Sequence, residues 1–128
     1  MPEPIVFISH FRSKEGKLDA FRRWFEEGSK GLEAQKPRTL VFLGYLEEGG
    51  SRATIVHVFG DAESMDLHVQ GADARSREAY DYLEPDGTEI YGWPSPSVMS
   101  VFRQEAASAG SLTLEPDYLG GFLRVSPG

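Results

Sequence analysis

The sequence predicts an α+β fold, with one antiparallel sheet carrying helices on one face. Three observations carry that prediction. Apolar β-branched segments and amphipathic helical segments follow one another in the irregular order βαββα(α)β, then αβ, instead of as strict βα repeats. A Gly-Gly turn joins the second and third strands, and a connection that short serves antiparallel neighbours. The chain has 128 residues, 40% hydrophobic and 26% charged, which is enough for one globular domain with a real core.

The first strand is read over residues 4–12, PIVFISHFR, which is β-branched and aromatic. After Gly16, the residues Leu18, Phe21, Phe25 and Leu32 recur on one arc of a helix, with Trp24 at its edge. That helix is expected over about 16–34, because Pro37 forbids its continuation. Strands follow at 39–47 and 53–59, with Glu48-Gly49-Gly50-Ser51 as the turn. Asp61 is placed to cap a helix, since its short carboxylate can accept from free amides in the first turn. Gly71 interrupts that helix, and a second helical piece is expected from Asp73 to Leu83, closed by Pro85. Residues 88–92 read as a fourth strand. Ser95-Pro96 is an N-cap followed by proline at the first helical position, and Val98, Met99, Val101 and Phe102 suit a short helix ending near Gly110. A strand is the alternative for that stretch. The tail 118–125 reads as a last strand with a glycine pair.

Period-2 alternation places Ile5, Phe7, Ser9 and Phe11 on one face of the first strand and Val6, Ile8, His10 and Arg12 on the other. In the second strand, Leu40, Phe42 and Leu46 alternate with Val41, Leu43 and Tyr45. In the third, Ile55, His57 and Phe59 alternate with Thr54, Val56 and Val58. A sheet with one wet face would alternate apolar and polar residues cleanly. Here both faces are apolar, so helices should cover one and a second copy of the chain the other, through a two-fold interface.

Composition excludes several function classes. There is no Cys, hence no disulfide, thiolate nucleophile or Cys-ligated metal. The net charge of −7 gives no basic footprint for nucleic acid. No apolar run is long enough to span a bilayer, and the opening Met1-Pro2-Glu3-Pro4 is no secretory signal, so a cytoplasmic protein is expected. No G-x-S-x-G, phosphate-loop or HExxH pattern is present, so no metal is assigned.

One resemblance adds to this. Ile5-Val6-Phe7-Ile8 followed by Lys14-Glu15-Gly16-Lys17, and above all Val58-Phe59-Gly60-Asp61-Ala62-Glu63-Ser64-Met65-Asp66-Leu67-His68-Val69, resemble the antibiotic biosynthesis monooxygenase-like group of the dimeric α+β barrel superfamily. The resemblance spans about residues 4–70. It implies a ferredoxin-like fold and a homodimer, with a core over about 4–92 and a C-terminal extension over 93–128. It also implies a cofactor-independent monooxygenase-like protein that binds or acts on a small aromatic or polyketide-type molecule, with no cofactor. The alternative is a non-catalytic, ligand-binding or stress-associated homodimer of the same fold. Better-known members use an active-site asparagine, and this sequence has no Asn. Where haem-degrading members place a histidine ligand, the chain reads Glu78-Ala79-Tyr80.

The candidate catalytic residues are the three histidines, His10, His57 and His68, because imidazole titrates near neutral pH and can exchange a proton with a phenol. His10 and His57 lie on strands expected to be neighbours, so they could share a face with Tyr45 nearby. Candidate substrate-binding residues are Tyr45, Phe21, Phe25 and Met65, with Tyr80, Tyr91 and Trp93 closing one end of a pocket between the sheet and its helices.

Overall fold

The structure, a computed structural model, describes residues 3–124. Met1 and Pro2, from the opening segment, and Val125, the last residue of the expected final strand, lie outside the described residues.

The elements are β1 (Ile5–Ser13), α1 (Leu18–Gln35), β2 (Thr39–Leu46), β3 (Arg52–Phe59), α2 (Ala62–Val69), α3 (Ala72–Ala79), β4 (Leu83–Tyr91), α4 (Pro96–Ala109) and β5 (Leu112–Glu115). The sheet runs β2-β3-β1-β4-β5. β1 sits at the centre, antiparallel to β3 on one side and to β4 on the other, which is the ferredoxin-like arrangement. β5 corrects the expectation of a wholly antiparallel sheet, because it pairs parallel with β4. A helix between two strands turns the chain twice, so the second strand can return in the first one's direction.

Local chemistry accounts for the helix boundaries. Asp61 caps α2 by accepting from the Ser64 amide at 2.8 Å, and Arg38 holds the same carboxylate at 3.1 Å. Gly71 adopts φ +81°, a left-handed conformation that separates α2 from α3. Ser95 caps α4, and its hydroxyl donates to Asp66 Oδ1 at 2.6 Å, tying the start of α4 to α2. The stretch left open between helix and strand is therefore helical.

The period-2 reading of the sheet holds. Ile5, Phe7, Ile55 and Phe59 are buried beneath the helices, in a core completed by Met65, Ile90, Met99 and Phe102. A second, smaller cluster joins Phe21 of α1 to Ala53 and Leu83. On the opposite face, Val6, Ile8, Val41, Val56 and Val58 are only partly covered, while Leu43 and Tyr45 are exposed.

Three further expectations change. The second helical piece ends at Ala79, and Pro85 lies inside β4, beside a register shift between Ser9 and Phe11 of β1. Proline has no amide to donate, and an irregularity in the ladder is where a strand tolerates it. The tail over 118–124 is not a strand: it follows β5 as irregular chain, with Leu119 and Phe122 exposed. His10 and His57 point to opposite faces, because His57 stands opposite Phe7 and His10 opposite Thr54. Position 10 is three steps along the strand from position 7, and an odd number of steps inverts the face. Tyr45, also opposite Thr54, falls on His10's side.

Candidate functional site

A cavity of about 510 Å³ opens between the helix-covered face of the sheet and the helices α1, α3 and α4. Its walls are mainly apolar, with Phe7, Phe25, Phe42, Ile55 and Phe102 among them. The polar groups set into this lining give it its chemistry.

His57 from β3 and His68 from α2 both line the cavity, and both are buried. Their rings meet edge to face with centroids 5.3 Å apart. His57 stacks on Phe7 at 4.3 Å, and Phe42 lies edge-on to it at 5.2 Å. His57 Nδ1 donates to the Phe7 carbonyl at 3.0 Å, which puts the proton of the neutral ring on Nδ1 and leaves Nε2 as the acceptor. His68 Nδ1 is bonded to the Thr39 hydroxyl at 2.7 Å.

Burial pushes the His57 pKa down to about 4, against the opposing pull of the Phe7 carbonyl; the Arg75 charge lowers it further. Burial likewise pushes His68 down to about 3, helped by His57, Arg75 and Lys36. Both rings are therefore neutral at pH 7. They form a hydrogen-bonding pair in an apolar chamber, able to bind a hydroxyl or enol and to stabilise charge developing on it.

Of the residues singled out from sequence, the structure brings His57, His68, Phe25 and Tyr80 to this cavity. His10 also borders it, but its side chain lies on the other sheet face, bonded to Glu89 and near Thr54. Tyr91 donates to the same Glu89 carboxylate. Phe21 packs in the smaller core cluster, and Met65 is fully enclosed in the main core. Tyr45 and Trp93 are exposed and line no part of the cavity. Only Tyr80 of the expected aromatic group closes it; burial raises its pKa and Glu105 adds to the rise.

The sequence reading missed Arg75 and the wall supplied by α4. A signal for that wall was present. Val98, Val101, Phe102 and Glu105 recur at helical spacing and all line the cavity. For Arg75 no local signal existed. Among the described residues, no group of three or more His, Asp or Glu could hold a metal, and no helix is long and apolar enough to cross a membrane.

No family model and no curated protein matches the chain. Solved structures do. MupZ from Pseudomonas fluorescens is 16% identical with a TM-score of 0.72, covering 97% of this chain and 98% of its own. SnoaB, a cofactor-independent oxygenase from Streptomyces nogalater, is 11% identical at TM-score 0.58 over 73% of this chain and 95% of its own. A putative antibiotic biosynthesis monooxygenase from Chloroflexus aurantiacus is 15% identical at TM-score 0.55 over 69% and 90%. These likenesses agree with the resemblance read from Val58 to Val69, and what they establish is the architecture: the chain has the ferredoxin-like α+β fold of the antibiotic biosynthesis monooxygenase structures.

Proposed function

We propose that the cavity receives a small aromatic or polyketide-type molecule, and that the chain acts on it as a cofactor-independent monooxygenase-like enzyme. The observation that carries this reading is the neutral His57–His68 pair set into apolar walls. A substrate hydroxyl or enol hydrogen-bonds to His57 Nε2. With conjugate-acid pKa values near 4 and 3, the rings are weak bases by themselves. Proton transfer becomes favourable only as the substrate anion forms beside the imidazolium, where the two charges attract in a low dielectric. The anion then supplies electrons to dioxygen: a C–H carbon of the ring takes one oxygen atom as a carbonyl, and that carbon's hydrogen and the hydroxyl's hydrogen leave with the other oxygen atom as water. The phenol becomes a quinone, so the substrate itself is the only reductant. Without an asparagine, the histidine pair takes over the orientation of the substrate.

The same weak basicity favours a second reading, a binding protein without turnover. In either reading the protein acts as a cytoplasmic homodimer, with a second copy covering the apolar outer sheet face.

The test is a panel of hydroxylated polycyclic compounds, scored for oxygen uptake without added cofactor and for shifts in the thermal midpoint. Uptake that falls in His57→Ala and His68→Ala but persists in His10→Ala supports the enzyme. Midpoint shifts without uptake support the binder. If no compound shifts the midpoint, the cavity is not a ligand site.

A further inference from the structure

Among the described residues that line the cavity, Arg75 alone carries a permanent positive charge. Its side chain reaches back from α3 to the end of α2. Nη2 donates to the His68 carbonyl at 2.6 Å and Nη1 to the Gln70 carbonyl at 3.3 Å. These bonds occupy two of the five guanidinium N–H groups and fix the plane of the fork. Both acceptors are neutral carbonyls, and no ion pair among the described residues includes Arg75. Burial lowers its pKa, the mark of a cation partly removed from water, and its charge reaches both histidines. The carboxylates on the same lining, Glu78 and Glu105, are exposed. The rings packed against the His57–His68 pair are Phe7, Phe42 and Phe59.

We propose that Arg75 is a specificity-determining residue for an acidic group. The cavity takes an apolar ring-bearing molecule that carries a carboxylate, and the remaining guanidinium N–H groups receive that carboxylate. The inference rests on the reading of the cavity as a ligand site. A partly desolvated cation whose acceptors among the described residues are carbonyls gains more from a carboxylate than from any neutral group, because the bonds are charge-assisted and the fork matches two oxygens. The two histidines suit this arrangement because they are neutral. They neither compete as cations for the acid nor repel Arg75, and they stay available to the ligand's hydroxyl or enol. An anion seated at Arg75 also offsets the positive field at both rings, which makes each a stronger base once the acid is bound.

The test compares naphthoic acid with methyl naphthoate by titration calorimetry at pH 7.5. Ring and length are nearly matched, and only one ligand is an anion. In the wild-type protein the acid binds about tenfold or more tighter than the ester, the ratio a charge-assisted bond supplies. Arg75→Gln removes that preference while leaving the ester's affinity within about twofold. Arg75→Lys, which keeps the charge without the fork, recovers part of it. Binding of the acid also raises the histidine pKa values seen by NMR, an effect that a helix-end bond from Arg75 to carbonyls would not produce. Should Arg75→Gln fail to fold, the wild-type comparison and Arg75→Lys decide the matter. Equal binding of acid and ester overturns the role of Arg75 and leaves the cavity a ligand site. Binding of neither overturns both.

Discussion

His57 and His68 come from different elements, β3 and α2, yet their rings meet edge to face 5.3 Å apart beside the cavity. The sheet register fixes one ring against Phe7, and the Thr39 hydroxyl at the start of β2 fixes the other. Arg75 binds the backbone of His68 from α3. Neighbouring strands and helices therefore hold a pair of neutral imidazoles out of the water that would stabilise their charged forms.

The first prediction concerns pH. In the unfolded chain each histidine titrates near 6.5, whereas in the folded chain His57 titrates near 4 and His68 near 3. Between these values the unfolded state binds more protons, so stability is fully present above about pH 6.5 and is lost as the pH falls toward 4. His57 alone accounts for on the order of 3 kcal/mol across that window. Urea midpoints at pH 7.5 and 5.0 measure it. His57→Gln should be less stable at pH 7.5 but show a flatter acid limb. A wild-type midpoint that does not move between the two pH values would refute the assignment.

The second concerns the outer sheet face. Val56→Asp or Leu43→Asp places a charge on that face, whereas Phe42→Asp places one in the cavity wall beside Phe25 and both histidines. Sedimentation should show the first two variants folded but monomeric, and circular dichroism should show the third strongly destabilised, because it sets an unpaired charge against the partly buried ring stack of Phe25 and the two histidines. A wild-type protein that sediments as a monomer at micromolar concentration would remove the case for a partner copy.

The third concerns Gly44. A Cβ at this position would lie 2.5 Å from Phe25 Cζ and 2.7 Å from Cε1. Gly44→Ala must therefore displace a ring that stacks on Phe42 and lines the cavity. The expected cost is about 1–3 kcal/mol of stability, with weaker binding of any aromatic ligand. An unchanged thermal midpoint would show that the ring yields freely.

The fourth concerns the α2 cap. Asp61→Ala removes the acceptor for the Ser64 amide and the partner of Arg38. The cap accounts for about 1 kcal/mol. The ion pair adds little, because both side chains are about one-third exposed. Hydrogen exchange should accelerate over α2, which carries His68. Asp61→Ser should recover most of the loss, since serine caps comparably.

Element order as far as β4, the Asp61 and Ser95 caps and the two-faced apolar sheet were legible in the amino-acid sequence. Each of these is local: a cap needs one side chain beside free amides, and strand faces follow from a period of two. Alternation within β1 and within β3 gave each histidine a face of its own strand. Which faces coincide depends on the register between the strands, and the pairing of Phe7 with His57 puts His10 on the other side. Packing across the chain decided the rest. Pro85 entered β4 because a register shift against β1 offered a place where no amide is needed. The tail left the sheet because β5 had already taken the edge beside β4. Arg75 reached the cavity because Gly71 turned α3 back over the end of α2. Such contacts depend on distances between separate segments of the chain, and no periodicity within either segment records them.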